Sequence, residues 1–264
     1  MMAGDILERI VARKKAEVEA ARQRIPEAAL RRQAGAPRQR RHFYGALSQP
    51  GPSGVNIIAE IKRASPSKGS ICPDLDPAAF ARRYEAGGAD ALSVLTDADF
   101  FQGSPADLKA ARAAVRLPVL RKDFIISPYQ IYESAALGAD AILLIVRILS
   151  AGELREYLAL AADSGLDVLV EVHSESELEA ALAAGARLIG VNNRNLRTFD
   201  TDVARASRMA ALFQPPQVPV AESGIRGRGD IEMLQAAGIF NFLIGESIVR
   251  SPDPAVFIRS LKGE

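Results

Sequence analysis

Glu60 and Lys62 stand two residues apart in Glu60-Ile61-Lys62-Arg63-Ala64-Ser65, directly after the apolar run 55–59. In a β-strand alternate side chains share a face, so the acid and the base point the same way, roughly 6–7 Å apart along the chain. They sit where the strand runs into Ser65-Pro66-Ser67-Lys68-Gly69. A strand meant only to pack would not end in two charges on one face, so the pair suggests a reaction site. The pattern recurs. In Leu117-Pro118-Val119-Leu120-Arg121-Lys122-Asp123-Phe124, Lys122 and Phe124 share one face and Asp123 the other. In Val168-Leu169-Val170-Glu171-Val172-His173 the three valines face one way and Glu171 the other.

Positioning such residues is the work of the elements around them. From residue 55 onward a helical stretch repeatedly ends in a small-residue turn and a β-branched run follows. The turns are near copies: Gly87-Gly88-Ala89-Asp90-Ala91, Gly138-Ala139-Asp140-Ala141, Gly165-Leu166-Asp167, Gly185-Ala186-Arg187 and Gly238-Ile239. Each glycine can cap a helix, and each run after it begins a buried strand. The strand cores fall at about 55–61, 91–95, 117–122, 141–146, 167–172, 187–192, 217–222 and 240–245. Segments of helical periodicity lie between them, for example 76–86, 151–164 and 174–184. Strand and helix alternating eight times predicts an α/β fold, a single (β/α)8 TIM barrel over residues 51–264. A doubly wound sheet is the rival, but it would show fewer strands and a glycine-rich first turn, and no G-x-G-x-x-G follows the first strand. Residues 1–50 read as an N-terminal helical extension lying on the barrel, with a helix over 5–24 that Pro26 stops.

In a barrel of this kind the active site lies at the C-terminal ends of the strands. Those ends carry Glu60 and Lys62, then Lys122 and Phe124, then Glu171. They continue with Gly190-Val191-Asn192-Asn193-Arg194, Ala221-Glu222-Ser223-Gly224 and Leu243-Ile244-Gly245-Glu246-Ser247. The period-2 rule turns Glu171, Asn192 and Glu222 toward the axis, gathering three carboxylates and two lysines at one mouth. Burying that many charges without function would cost several kcal/mol per unpaired ion. Each has a structural reading too: Glu60–Lys62 as an ion pair at a strand end, Asn192 as a turn cap, Gly224 and Gly245 as ordinary turn glycines. His173 and His42 read as surface or packing residues, and no metal site is expected. The loops after the seventh and eighth strands suit a phosphate held by backbone N–H groups, where glycine permits close approach. Glu246 would repel a phosphate, so its side chain should turn away while its N–H contributes.

Composition narrows the partners. The chain of 264 residues carries a net charge of +1, which gives no reason to expect a polyanionic partner. Residues 1–50 hold eleven Lys/Arg against five Asp/Glu. The Arg-rich stretch 31–41 is a nucleic-acid arm or, the commoner outcome for such a run, a solvated basic segment. Its aromatics, Phe43 and Tyr44, are adjacent rather than interleaved with the charges. The one cysteine, Cys72, rules out a disulfide within the chain and fits a reducing compartment. The longest aliphatic run, 141–146, is far too short to span a bilayer, and the N-terminus lacks an apolar signal core. A soluble, cytoplasmic protein is the expectation.

The strand-end motifs together resemble the indole-3-glycerol-phosphate synthase family of tryptophan biosynthesis. The stretches that carry the resemblance are IIAEIKRASPSKG (57–69), VLRKDFI (119–125), LVEVH (169–173), IGVNNRNL (189–196), VAESGI (220–225) and FLIGESI (242–248). With the N-terminal helix and Phe43-Tyr44-Gly45-Ala46-Leu47 it covers almost the whole chain. The resemblance implies conversion of 1-(2-carboxyphenylamino)-1-deoxyribulose 5-phosphate to indole-3-glycerol phosphate, with loss of carbon dioxide and water and without a cofactor. It implies Lys122 as the general acid of ring closure, Lys62 near the substrate carboxylate and Glu171 in proton transfer during dehydration. Glu60, Asn192 and Glu222 match the polar residues around the sugar-derived chain and ring nitrogen. Ser65, Phe124, Arg194 and Ser223 match the pocket lining, and Gly224, Gly245 and Glu246 fall in the phosphate-holding loops. Position 246 can be serine in the family; glutamate keeps backbone binding but removes a hydroxyl donor.

The implied chemistry suits the inventory. A proton must reach the alkoxide that forms on ring closure, and a charged lysine can give it or stabilise the oxyanion. A hydroxyl must then leave as water, which needs a second acid–base partner. Three carboxylates cover that role, and which donates and which accepts stays open at this point. The rivals are a sugar-phosphate isomerase barrel, which leaves two lysines and a carboxylate unused, a Schiff-base aldolase with Lys122 as nucleophile, and a barrel kept as a binding scaffold. The expected partner is a phosphorylated small molecule, with no nucleic acid and no membrane, and other tryptophan-pathway enzymes remain possible. Whether residues 1–50 close over the substrate is left open by the sequence; on the hypothesis that they do, deleting 1–40 should raise KM with the barrel still folded.

Overall fold

The computed structural model describes residues 6–195 and 198–264. Eight parallel strands alternate with helices and close into a barrel: β1 Asn56–Ile61, β2 Ala91–Leu95, β3 Val119–Lys122, β4 Ala141–Ile145, β5 Asp167–Val172, β6 Leu188–Asn192, β7 Val218–Glu222 and β8 Asn241–Ile244. Each strand pairs with its neighbours in sequence, and β8 closes the ring on β1 through Ile58 opposite Leu243. The (β/α)8 expectation holds, and the strand cores agree to within two residues. Pro118 has no N–H to donate, so β3 begins one residue later, at Val119.

Two apolar layers follow from the alternation of side chains along each strand. Ile58, Leu120, Leu143, Leu169, Leu188 and Val220 fill the barrel interior. Ile142, Leu144, Val170, Val172 and Val191 point outward into a larger layer beneath the helices. Six of the described helices start on side chains that accept the first free backbone N–H groups. Asp76, Ser104, Ser127, Ser150, Ser174 and Asp253 all do so. Gly138, at φ +87°, ends the helix Pro128–Leu137 and turns the chain back into β4. In the first such turn the left-handed residue is Gly88, at φ +83°, while Gly87 stays right-handed.

The residues ahead of β1 are woven into the barrel. The helix α1, Ile6–Arg24, turns Leu7, Ile10, Lys14 and Val18 inward along one face; Asp5, expected at its start, lies outside the described residues. Lys14 can be buried there because Asp97 and Asp123 meet its Nζ, each at 3.0 Å. The short helix Phe43–Leu47 plugs the far end of the barrel with Phe43 and Leu47, both fully buried. Its Tyr44 N–H is bonded to Asp167, the first residue of β5. The Arg-rich stretch is neither a free arm nor simply solvated. Arg38 donates to the carbonyls of Ala135, Ala139, Ser164 and Gly165. Arg41 donates to those of Leu117 and Arg112. The helix ends present unpaired carbonyls, and these guanidiniums satisfy them. Deleting residues 1–40 would therefore strip bracing from the barrel itself, so that deletion cannot isolate an effect on KM. No helix among the described residues is long and apolar enough to cross a membrane.

Candidate active site

At the C-terminal ends of the strands lies a cavity of about 690 Å³, lined by every residue that the sequence nominates. β1 and the loop after it supply Glu60, Lys62 and Ser65; β3 and its loop supply Lys122 and Phe124; β5 supplies Glu171. Asn192 and Arg194 come from β6 and the residues after it, Glu222, Ser223 and Gly224 from β7 onward, and Gly245 and Glu246 from the end of β8. Leu196, in the last part of the β6 motif, lies outside the described residues.

Lys122 is the centre of the floor. Its Nζ is 3.3 Å from Oε2 of Glu171 and 3.7 Å from Oε2 of Glu222. Asp123 faces away, toward Arg121 and Lys14, as the strand alternation requires. Lys62 pairs with Glu60 at 2.5 Å. Asn192 donates its Nδ2 to Oε1 of Glu171 at 3.1 Å, and its own Oδ1 accepts the Arg194 N–H at 3.0 Å. Register explains the packing: Glu171 is level with Gly190, and Asn192 with Glu222. A Cβ on Gly190 would overlap the Glu222 carboxylate, so this strand glycine makes the room in which Glu222 lies. Gly245 does the same for Glu60, whose carboxylate a Cβ would overlap.

The two carboxyls beside Lys122 are driven apart in acidity. Burial disfavours charge on both. At Glu171 the nearby Lys122 and the Asn192 amide outweigh burial and hold the group ionised, well below the usual carboxylate range. At Glu222 burial, joined by the negative charges of Glu171 and Glu60, outweighs Lys122 and pushes the carboxyl up to about 8. Its Oε1 is buried with no hydrogen-bond partner among the described residues, as suits a carboxyl that carries a proton. Burial would lower Lys122, but Glu171, Glu222 and Glu60 outweigh it and keep the ammonium charged. Glu60 is buried too, yet Lys62 and Lys122 hold its carboxyl low. With Glu222 neutral, two carboxylates face two ammoniums and the floor is balanced.

Around the floor the walls differ in character. Phe101 and Phe124, with ring centroids 6.0 Å apart, join Leu95 and the α1 residues Ile6, Leu7 and Ile10 in an apolar side. Across the axis the rim after β7 and β8 is basic, with Lys68, Arg226 and Arg250 beside Arg194. Glu246 does not turn away from this rim. Its carboxylate lines the cavity, 3.7 Å from Lys68, 3.9 Å from Arg194 and 3.4 Å from Arg250, because three cations converge on it. Ser223 and Gly224 both take left-handed backbone, at φ +66° and +83°. For serine that conformation is strained, and such strain clusters at functional sites.

Sequence reasoning missed several of these residues. Hydrophobic spacing on 5–24 says which side of α1 is buried, not that this side covers the mouth. His173 is neither surface nor mere packing: it is buried between Glu171 and Glu177, its ring nitrogens 3.3 Å from one oxygen of each. Its place directly after the Glu171 motif was the available signal. Among the described residues no group of three or more His, Cys, Asp or Glu side chains is placed to hold a metal ion.

Comparison with known proteins agrees with this arrangement. Residues 7–261 match the family model for indole-3-glycerol phosphate synthase. The chain is 58% identical to the indole-3-glycerol phosphate synthase of Desulfosudis oleivorans, over 97% of this chain and 98% of that protein. It is 54% identical to that of Syntrophobacter fumaroxidans, over 98% of each. Among solved structures, 3-hexulose-6-phosphate synthase from Salmonella typhimurium superposes with a TM-score of 0.63 over 79% of this chain and 97% of that one, at 13% identity. That likeness is one of fold alone. A barrel mouth that gathers the motif residues, a family-model match over residues 7–261 and 54–58% identity to named relatives over nearly the whole chain converge on one assignment: the chain belongs to the indole-3-glycerol phosphate synthase family, carboxy-lyases of tryptophan biosynthesis.

Proposed function

We propose that the chain closes the indole ring of 1-(2-carboxyphenylamino)-1-deoxyribulose 5-phosphate, with Lys122, Glu222 and Glu171 dividing the proton transfers among them. The observation that carries the division is the placement of Lys122 between a carboxylate held ionised and a carboxyl held neutral, 3.3 and 3.7 Å away. As the ring carbon attacks the ketone, charge develops on its oxygen. Lys122 stabilises that charge and gives it a proton; an alkoxide is far more basic than an amine, so a firmly protonated lysine still donates. Carbon dioxide then leaves, the iminium nitrogen taking up the electron pair, and the ring regains aromaticity. Glu222, neutral below about pH 8, protonates the departing hydroxyl. Glu171 removes the ring-carbon proton that completes the indole. Asn192 holds Glu171 in place, and Glu60 holds Lys62 at the substrate's carboxylate.

The walls sort the substrate by chemistry. Phe101 and Phe124 suit the anilino ring. The loops carrying Ser223, Gly224, Gly245 and Glu246, with Lys68, Arg226 and Arg250 around them, suit the phosphate. Ser65 and Arg194 lie between, near the carboxylate and the hydroxyls. The residues ahead of β1 are read as an extension of one barrel domain, with α1 completing the cavity. A cytoplasmic location, without nucleic-acid or membrane partners, accords with the bacterial biosynthetic relatives. Glu171→Gln tests the division of roles. It should accumulate a ring-closed, decarboxylated species heavier than the product by one water, seen by mass spectrometry after a single turnover. Product release at the wild-type rate would reject the assignment of Glu171.

A further inference from the structure

The reaction is not proton-neutral. Two protons go to substrate oxygens, one at ring closure and one at water loss, and a single proton returns from carbon. The carboxylate leaves as neutral carbon dioxide, so each turnover takes one proton from solvent. The floor that must receive it is enclosed: Glu171 and Glu222 are buried, the Lys122 side chain is 15% exposed, and α1 lines the same cavity, so a substrate seated there would cover all three.

A second cavity, also about 690 Å³, lies between α1 and the segments that follow β4, β5 and β6. It is lined by Leu7, Glu8 and Val11 of α1, by Arg147 and Ile148 after β4, and by His173; Leu7 lines the first cavity as well. His173 separates this space from the catalytic floor. Its Nε2 faces Oε1 of Glu171 at 3.3 Å, off the line of a hydrogen bond. Its Nδ1 lies 3.3 Å from Oε2 of Glu177, which also accepts the His173 backbone N–H at 2.7 Å. Glu177, whose side chain reaches partial exposure, is steadied by Arg147 at 2.9 Å. The charged groups around the imidazole are thus Glu171 from β5, Glu177 from the next helix, Arg147 from the turn after β4, Arg205 from the helix after β6 and Glu8 from α1.

We propose that Glu177, whose carboxylate reaches the surface, and His173 form a proton path from solvent to Glu171, supplying the one proton each turnover draws. This rests on the assignment of Glu171 to proton transfer. Imidazole suits such a path because it binds a proton at one nitrogen and releases one from the other. A proton arriving at Nδ1 makes the imidazolium, which gives its Nε2 proton to Oε1 of Glu171 as the two come into line, and rotation of the ring restores the starting tautomer before the next turnover. From there it passes to Lys122, 3.3 Å from the other oxygen, restoring the ammonium spent on the ketone. The proton taken from carbon by Glu171 replenishes Glu222, and the cycle closes. His173 touches no substrate on this reading; it is a positioning and relay residue.

The test uses the full chain with His173→Gln, His173→Ala and Glu177→Gln, each checked for wild-type thermal unfolding. His173→Gln should lower kcat roughly tenfold or more above pH ~8, where protons are scarce, and much less below pH ~6, with KM nearly unchanged. Glu177→Gln should show a smaller loss with the same pH dependence. Added imidazole should restore His173→Ala, since the second cavity has room for it. Wild-type kcat across the pH range in both His173→Gln and Glu177→Gln would overturn the path. So would a pH-independent loss that imidazole does not relieve. Glu171→Gln separates the premise: if it alone is impaired the path fails, and if it too is unimpaired the role of Glu171 fails with it.

Discussion

Glu222 and Glu171 show how two identical side chains, on strands with only β6 between them, come to do opposite work. Glu171 gains an amide donor and the nearer ammonium, whereas Glu222 has a buried oxygen with no partner among the described residues. A raised pKa carries a sign for stability. The contribution of Glu222 to stability is full below its ordinary value of 4.5 and is lost as pH rises through about 8. The enzyme loses its neutral acid at the upper end of that span, so kcat should fall through pH 8 while substrate binding holds. Glu222→Gln keeps the neutral shape but cannot give up a proton. It should lower kcat by about 10²-fold or more and flatten the fall in thermal stability between pH 4.5 and about 8; a stability profile unchanged from wild type would remove Glu222 as its source. Gly190→Ala should have the same catalytic effect without touching any ionisable group, because the added methyl displaces the Glu222 carboxylate. Steady-state kinetics on the folded variant would check it.

At the scale of the element, α1 is held to the barrel by a buried charge rather than by apolar contact alone. Lys14 meets Asp97 and Asp123, and Asp123 is also gripped by Arg121 and Thr96. Despite the cost of burial, Arg121 and Lys14 hold Asp123 down to about 2, against an ordinary 3.8. Because that value is depressed, its stabilisation is present above about pH 4 and is lost as pH falls toward 2. Lys14→Met leaves buried carboxylates short of a cation and should cost about 3–5 kcal/mol. It should also shrink the acid-driven loss of stability between pH 4 and 2, as read by thermal unfolding. Leu7→Ala and Ile10→Ala, which leave Lys14 in place, should instead raise KM with the fold intact, since both side chains line the cavity; an unchanged KM would detach α1 from substrate binding.

Over the whole molecule, what could be read from the sequence was what strand periodicity determines. Valines on alternate positions turned Glu171 inward, and the repeated glycine turns marked five of the eight strand starts, so the barrel and its mouth were legible together. What stayed hidden depends on elements distant in the chain. Arg38 looks like loose charge until the carbonyls of residues 135–165 are brought to it. Glu246 looks repulsive until Lys68, Arg194 and Arg250 gather on it from three parts of the chain. His173 looks like packing until a second cavity opens behind it. The central claim is that the partly buried ammonium of Lys122 donates the proton of ring closure. Indole fluorescence, followed as 1-(2-carboxyphenylamino)-1-deoxyribulose 5-phosphate is added to wild type and to Lys122→Ala, tests it most directly. A rise with wild type and a loss of at least ~10²-fold in the folded variant is the expected result. Equal rises in both would contradict it and move the acid to another group, with Lys62 next in line.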